Sequence, residues 1–250
     1  MPQLFPLYIF PQISYNIYRL TNCHAVRYNY FMNLNLVPPS KQGLPEVKPI
    51  HVILASHSMG RKMLLDKLGI PFRVIVSNVQ EEEILYPDPV KTLKKRAEAK
   101  LEEILKHPRV YTLHELDENF IIAADSMAIL GKKIFGKADD RDHAREIVKS
   151  LMGKTHIFAT AVNIVYLDGD KTIKKRWEKV ITTKVTLRKL NKPELESYIT
   201  RYDFSRFAAG YALNETPWDL VTKVDGSYTN VIGLPFEMLL PILRSLNLIV

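Results

Sequence analysis

A compact apolar run, residues 51–55, leads into Ser56-His57-Ser58 and then into a segment where Met63, Leu64 and Leu68 recur at helical spacing before Gly69. No other stretch constrains the fold as tightly, because it fixes a buried strand, a tight turn and a helix in one unbroken sequence. A short apolar run bounded by a turn suits a strand covered on both faces. Ser58 is placed to cap the helix, its hydroxyl accepting from an otherwise orphan first-turn amide. Gly69 supplies the left-handed stop. A strand running straight into a helix N-terminus gathers free amides, hydroxyls and a positive dipole end, an arrangement that suits a phosphate. Arg61 adds a guanidinium fork beside Ser56 and Ser58. The same residues also serve simply as a cap and a turn, and spacing alone does not choose between the two.

Residues 72–76 read as a second strand that ends in an acidic segment containing Glu81, Glu82 and Glu83. Such a run is ordinarily solvated charge; a carboxylate leaving a strand end towards a cleft can instead hold a divalent metal through oxygen. Residues 89–106 form an amphipathic helix with Val90, Leu93, Ala97, Leu101 and Ile104 on its apolar stripe. Lys100 falls on that stripe. A lysine there either snorkels outward along its aliphatic stem, the commoner outcome, or stays inside with an anion.

Residues 120–124 read as a buried strand, with Asp125 expected at its carboxyl end. Ligands of open α/β sheets bind outside such ends, so a catalytic acid would sit there. A lone Asp followed by Ser126 can equally begin a turn. Residues 129–135 suggest a small hairpin about Gly131-Lys132, followed by an Asp-rich cap and a helix through Ala144, Ile147, Val148 and Leu151. Two long β segments, 155–167 and 172–187, meet at Asp168-Gly169, a strong hairpin signal. Ile181, Thr183, Val185 and Leu187 alternate with Thr182, Lys184 and Thr186, which predicts one face towards solvent or another subunit. Asn191 caps a helix with Pro193 near its start. Residues 208–214 read as a loop or short strand, 221–224 as a strand, 226–233 as a loop and 236–246 as a last helix. Pro241 should kink that helix or remove one bond from it.

Of 250 residues, 46% are hydrophobic and 25% charged, which excludes wholesale disorder. The net charge of +8 suits nucleic acid or an anionic small molecule and does not choose between them. Cys23 is the only cysteine, which excludes an intrachain disulfide and a thiolate zinc cluster and fits a reducing, cytoplasmic setting. No apolar run is long and unbroken enough to span a bilayer, so no membrane partner is expected. Residues 1–49 read as a poorly structured extension: acidic residues are absent before Glu46, and Pro38-Pro39-Ser40-Lys41-Gln42-Gly43 resembles a linker. An organelle transit peptide or a true start at Met32 are the alternatives for this segment. The folded domain is expected over 50–250.

Seven elements recur in an order that resembles the Maf family of nucleoside triphosphate pyrophosphatases, over roughly residues 50–248. Ala55-Ser56-His57-Ser58 with Arg61 resembles the family's Ala-Ser-x-Ser-Pro-x-Arg turn, and Val79-Gln80-Glu81 its Val-Asp-Glu. Ala97-Glu98-Ala99-Lys100 resembles its Ala-x-x-Lys, Ala124-Asp125-Ser126 its Ala-Asp-Thr, and Gly136-Lys137 its Gly-Lys-Pro. Gly153-Lys154-Thr155-His156 resembles its Gly-Arg-Thr-His, and residues 226–235 its C-terminal signature.

The resemblance implies a mixed twisted sheet with flanking helices, an inosine-triphosphatase-like α/β fold. It implies hydrolysis of a nucleoside triphosphate to monophosphate and pyrophosphate with Mg²⁺ or Mn²⁺. Asp125 would activate water, and Glu81 with Asp125 would hold the metal. Arg61, Lys100 and Lys137 would clamp the triphosphate, which the Ser56–Ser58 turn cradles. Ser126 keeps the hydroxyl of the usual threonine, and Asn214 stands where the pyrimidine branch has glutamine. Gly60 replaces the arginine or tryptophan of characterised branches, Met59 a proline and Ala138 another, so the base is left open. A homodimer is within what the family implies. The competing reading is a nucleotide- or nucleic-acid-binding regulator that kept the pocket and lost turnover; nucleic acid is the less favoured partner, because a binder needs no such set of carboxylates and lysines.

Overall fold

The apolar run Ile50–Ala55 (β1) sits inside a seven-stranded mixed sheet, paired in parallel with Phe72–Ile75 (β2) and with Glu118–Leu130 (β3). Val52 to Ala55 are all buried, as a parallel strand covered on both faces requires. Lys133–Phe135 (β4) folds back on the end of β3 through the predicted hairpin. Past β3 the sheet turns antiparallel, through Thr155–Leu167 (β5), Ile173–Leu187 (β6) and Val221–Asp225 (β7). The computed structural model describes residues 48–202, 207–213, 215 and 219–250. All but the last two residues of the expected extension, 1–49, lie outside them.

The helices are Met59–Lys67 (α1), Pro89–Lys106 (α2), Arg141–Leu151 (α3), Lys192–Arg201 (α4), Tyr228–Ile232 (α5) and Phe236–Ser245 (α6). Successive strand residues point to opposite faces, and the helices sort accordingly. On one face Leu64, Leu65, Leu239 and Leu243 of α1 and α6 cover Leu54, Phe120, Ile122 and Val162. On the other, Leu101 and Ile104 of α2 cover Ile53, Ile121 and Val165, and Leu93 and Ala97 cover Met127 and Ala161. Each fully buried leucine here contributes about 1.5–3 kcal/mol. A further cluster joins α3 and α4 to Phe158, Val185 and Leu187 of the antiparallel half. Thr183, Val185 and Leu187 are buried and Thr182 and Lys184 exposed, the alternation the sequence predicts. Among the described residues no helix is long and apolar enough to cross a membrane.

Two expectations are corrected. Asp125 does not end a strand: β3 continues through it to Leu130. The strand carries on because Asp125 and Ser126 pair across to Ala161 and Thr160 of β5, while their side chains find partners on α2 and α1. Residues 226–233 are not a plain loop, since they contain α5, capped by the Ser227 hydroxyl and closed by Gly233 in the left-handed conformation. A five-residue helix is too short to show periodicity and depends on tertiary packing. Pro241 lies inside α6, which runs continuously through it, so its effect is the lost bond.

His156 is a buried group with a pH consequence. Burial pushes its imidazole down to about 4, and its Nε2 pairs with the Tyr211 hydroxyl at 2.7 Å. An imidazole held below its unfolded value binds its proton more readily in the unfolded chain, so stability is full above about pH 6.5 and falls as pH drops towards 4. About 2 kcal/mol is lost by pH 5, a Tm fall of roughly 5 °C relative to pH 7.5. In a His156→Gln variant this part of the acid dependence disappears, which thermal melts at the two pH values measure.

Candidate active site

Strand β1 stops at Ala55, paired with Ala123, but β3 runs on. The first β3 residues beyond this stop line the crevice outside the carboxyl end of β1, the place where open α/β sheets take ligands. Asp125 and Ser126 stand there side by side. Because neighbouring strand residues face opposite ways, Asp125 turns to α2 and Ser126 to α1. Asp125 Oδ1 accepts from Lys100 Nζ at 3.1 Å, and Ser126 Oγ accepts from Arg61 Nη2 at 2.8 Å.

The Ser56–Ser58 turn holds Arg61 from its own side. Ser58 caps α1 by accepting from the Arg61 amide, and Ser56 Oγ accepts from the Ser58 amide at 3.2 Å and from Arg61 Nη1 at 2.7 Å. Arg61 Nε donates to the Gly233 carbonyl at 2.8 Å. Gly233 has φ +115°, and a Cβ there would meet Arg61 Nε at 3.3 Å, so glycine permits both the helix stop and the close approach. Burial pulls the Arg61 guanidinium's pKa down, while Asp125 and Glu81 hold it up; an arginine keeps its charge under such opposition.

Lys100 is buried and takes the inside alternative of the sequence reading: its ammonium lies 2.6 Å from Glu81 Oε2 as well as 3.1 Å from Asp125. Glu81 arrives on a single 3₁₀ turn, Glu81–Glu83, after β2. Lys137 faces the same crevice. Its pKa is lowered by burial and by the positive charges of Arg61 and Lys100, against the pull of Glu81 and Asp125. A lysine so placed gains most from an anion beside it.

Ser56, Ser58, Arg61, Glu81, Lys100, Asp125, Ser126 and Lys137 all line one cleft of ≈ 470 Å³. Asn214 lies outside the described residues. The cleft is also lined by Phe158, Phe207, Tyr211 and Leu213, aromatic and apolar side chains of the kind that suit a planar base. Among the residues that sequence reading missed, Thr160 donates to the Asn230 carbonyl at 3.0 Å and pairs with Ser126 Oγ at 2.9 Å. Fully buried Asn230 is tied in turn to the Phe158 carbonyl and Thr183 Oγ1. The 226–235 segment thus braces Arg61 rather than touching the crevice with charge; one threonine in a β run carries no signal of this.

Gly60 also faces the cleft. A Cβ at this position would meet the Ile232 carbonyl oxygen at 2.7 Å. Helix propensity alone favours Gly60→Ala by about 0.5–1 kcal/mol, but the clash is with backbone, and overpacking of this kind costs about 1–3 kcal/mol. Gly60→Ala is therefore expected to lower the midpoint of urea unfolding; a rise would show that α5 yields.

A family model described as Maf-like protein matches residues 51–246. A protein named dTTP/UTP pyrophosphatase from Pyrococcus furiosus is 36% identical over 196 residues, covering 77% of this chain and 94% of its own. One of the same name from Aquifex aeolicus is 35% identical over 204 residues, covering 80% and 97%. A solved nucleoside-triphosphatase / dITP/XTP pyrophosphatase from Mycobacterium abscessus aligns with 78% of this chain and 97% of its own at 10% identity, with a TM-score of 0.32, too low to carry an argument.

Proposed function

The chain belongs to the Maf family, and from that premise we propose that it hydrolyses a nucleoside triphosphate to the monophosphate and pyrophosphate, with dTTP and UTP as its substrates. The observation that carries the reading is the convergence of Arg61, Lys100 and Lys137 with Glu81 and Asp125 in one cleft. The cations offset part of the negative charge of a triphosphate, and the two carboxylates, both paired with Lys100, supply what the chemistry needs besides binding. The two similar proteins from Pyrococcus furiosus and Aquifex aeolicus bear the name dTTP/UTP pyrophosphatase, which supports pyrimidine substrates, while Gly60 and Asn214 depart from the pyrimidine branch's pattern.

The triphosphate lies against the Ser56–Ser58 turn at the start of α1, where free amides and the helix dipole favour phosphate oxygens. Lys137 and Arg61 offset its charge, and the aromatic and apolar side chains of the cleft receive the base. Asp125 takes a proton from water as the water oxygen bonds to the α-phosphorus; the bond to the bridging oxygen breaks and pyrophosphate leaves with that electron pair. Lys100, bonded to Asp125 Oδ1 and the Ala124 carbonyl, fixes the carboxylate's orientation during this step.

Glu81 and Asp125 fit a hard divalent cation. Both are oxygen donors, and both already converge on a single positive centre, the Lys100 ammonium. They would hold Mg²⁺ or Mn²⁺, which when bound spreads charge developing on the phosphates.

The test is release of monophosphate and pyrophosphate from a panel of standard and modified nucleoside triphosphates with Mg²⁺ or Mn²⁺. Turnover led by dTTP and UTP supports the reading. Turnover led by a purine nucleotide would overturn the base assignment, and no turnover on any triphosphate would overturn the activity.

A further inference from the structure

At the other end of the same strands lies a second cluster of ligand-type side chains. His51 is the second residue of β1, four before Ala55 and roughly 13 Å from the crevice along the strand. Its Nε2 lies 2.8 Å from Asp117 Oδ2. The His114 ring stacks on the His51 ring at 3.4 Å between centroids and 10° between planes. One donor atom from each of the three residues lies within 4.8 Å of the others. We propose that His51, His114 and Asp117 form a binding site for a borderline-soft divalent cation of the zinc type, separate from the triphosphate cleft.

The donor chemistry selects the ion. Two imidazoles and one carboxylate suit zinc and its neighbours, whereas magnesium and manganese prefer all-oxygen sites such as the one Glu81 and Asp125 offer. Three protein ligands leave the remaining position of a tetrahedral ion to water. With metal–ligand distances of about 2.0–2.2 Å, such an ion wants its donors about 3.3 Å apart. His51 and Asp117 need only open slightly, whereas the His114 ring, exposed to solvent, must turn out of its stack on His51 so that its in-plane lone pair points at the ion.

The ligands are also held from behind. Asn119, fully buried at the start of β3, accepts from the His114 amide at 3.1 Å. Its Nδ2 donates to the carbonyls of His114 at 3.0 Å and of Asp117 at 3.1 Å. One buried amide therefore sets the backbone of two of the three ligands, while β1 sets the third. From the neighbouring strand β2, Arg73 donates to the carbonyls of Tyr111 and Thr112, pinning the same connection between α2 and β3. Outer partners that orient ligands in this way typically matter 10–100-fold for metal affinity. A bound ion would clip the 107–117 connection to the first residue pair of the sheet.

The experiment is calorimetric titration of the untagged full-length protein with zinc, beside His114→Gln and Asp117→Asn. Neither substitution removes a core side chain, and asparagine at 117 can still accept from His51. The expected result is one more tightly bound zinc in the wild type than in His114→Gln, at least tenfold weaker binding in Asp117→Asn, and a zinc-induced Tm rise of about 5 °C that both variants lose. Equal zinc uptake by wild type and both variants would overturn the proposal, because the ion would then sit elsewhere, such as the Glu81–Asp125 pair. Absence of uptake at micromolar zinc would overturn it as well, leaving a hydrogen bond and a ring stack.

Discussion

Asp125→Asn is expected to cut pyrophosphate release by about 10³-fold while triphosphate binding stays within a few-fold of wild type. Asparagine has the shape of aspartate, and its carbonyl oxygen can still accept from Lys100 Nζ, so the crevice keeps its geometry. It cannot take a proton from water, and a positioned general base contributes about 10²–10⁴ to rate. The change also removes one of the two carboxylates proposed to hold the metal, which adds to the loss. Single-turnover rates at saturating dTTP, with binding followed calorimetrically, separate the two effects. A variant within tenfold of the wild-type rate would remove Asp125 from the role of base. Loss of binding together with turnover would mean that its work is in holding the metal and phosphates.

Arg61→Lys is expected to damage folding and function together, despite keeping the charge. Three separate donors of the guanidinium meet Ser56 Oγ, Ser126 Oγ and the Gly233 carbonyl, all between 2.7 and 2.8 Å. An ammonium on a flexible stem cannot reach all three at once. Each buried acceptor left unpaired costs about 1–3 kcal/mol, so a loss of about 3 kcal/mol and a Tm fall of about 10 °C follow. KM for the triphosphate should rise by at least tenfold, because the turn proposed to cradle the phosphates loses its brace. Denaturant unfolding and steady-state kinetics on one preparation test both halves. An unchanged Tm with raised KM would make Arg61 a pure ligand contact and the α1–α5 brace dispensable.

Local order was well marked in the sequence. The strand–turn–helix at 50–67, the helix at 89–106 and the long hairpin at 155–187 each have a dominant periodicity or turn signal, and each formed where expected. Lys100 was legible as an anomaly on an apolar stripe, and what it needed, an anion, was named by the chemistry of burial. The choice between snorkelling and pairing depended on Glu81 and Asp125, which approach from outside its helix. Asp125 is legible as a polar interruption but not as a mid-strand residue, because the β5 partners that continue the strand and the α1 and α2 groups that meet the side chains are remote in sequence. Thr160 and the His51–His114–Asp117 group carry no local signal for the same reason, and Asn230 stands out only as one residue of the 226–235 segment. Their meaning is in contacts across 34 to 70 residues of chain, and no local pattern encodes those.

The opposite orientation of Asp125 and Ser126 divides the molecule's freedom to change. The carboxylate that meets Lys100 and the hydroxyl that meets Arg61 are locked in place by the same alternation that sorts Ile121 from Ile122 between the two cores. A one-residue slip of β3 would exchange their surroundings and expel both apolar sets at once, so drift in the hydrolytic half is removed as misfolding before it can be tested as chemistry. The cleft-lining residues at 207–213 belong to the connection between α4 and β7, outside that alternation, and are held instead by burial of Ala209 and Tyr211 and by the bond between the Tyr211 hydroxyl and His156. Changes of base preference are therefore expected at positions of that connection that leave Ala209 and Tyr211 in place, because these two are packed into the core shared with α3 and α4.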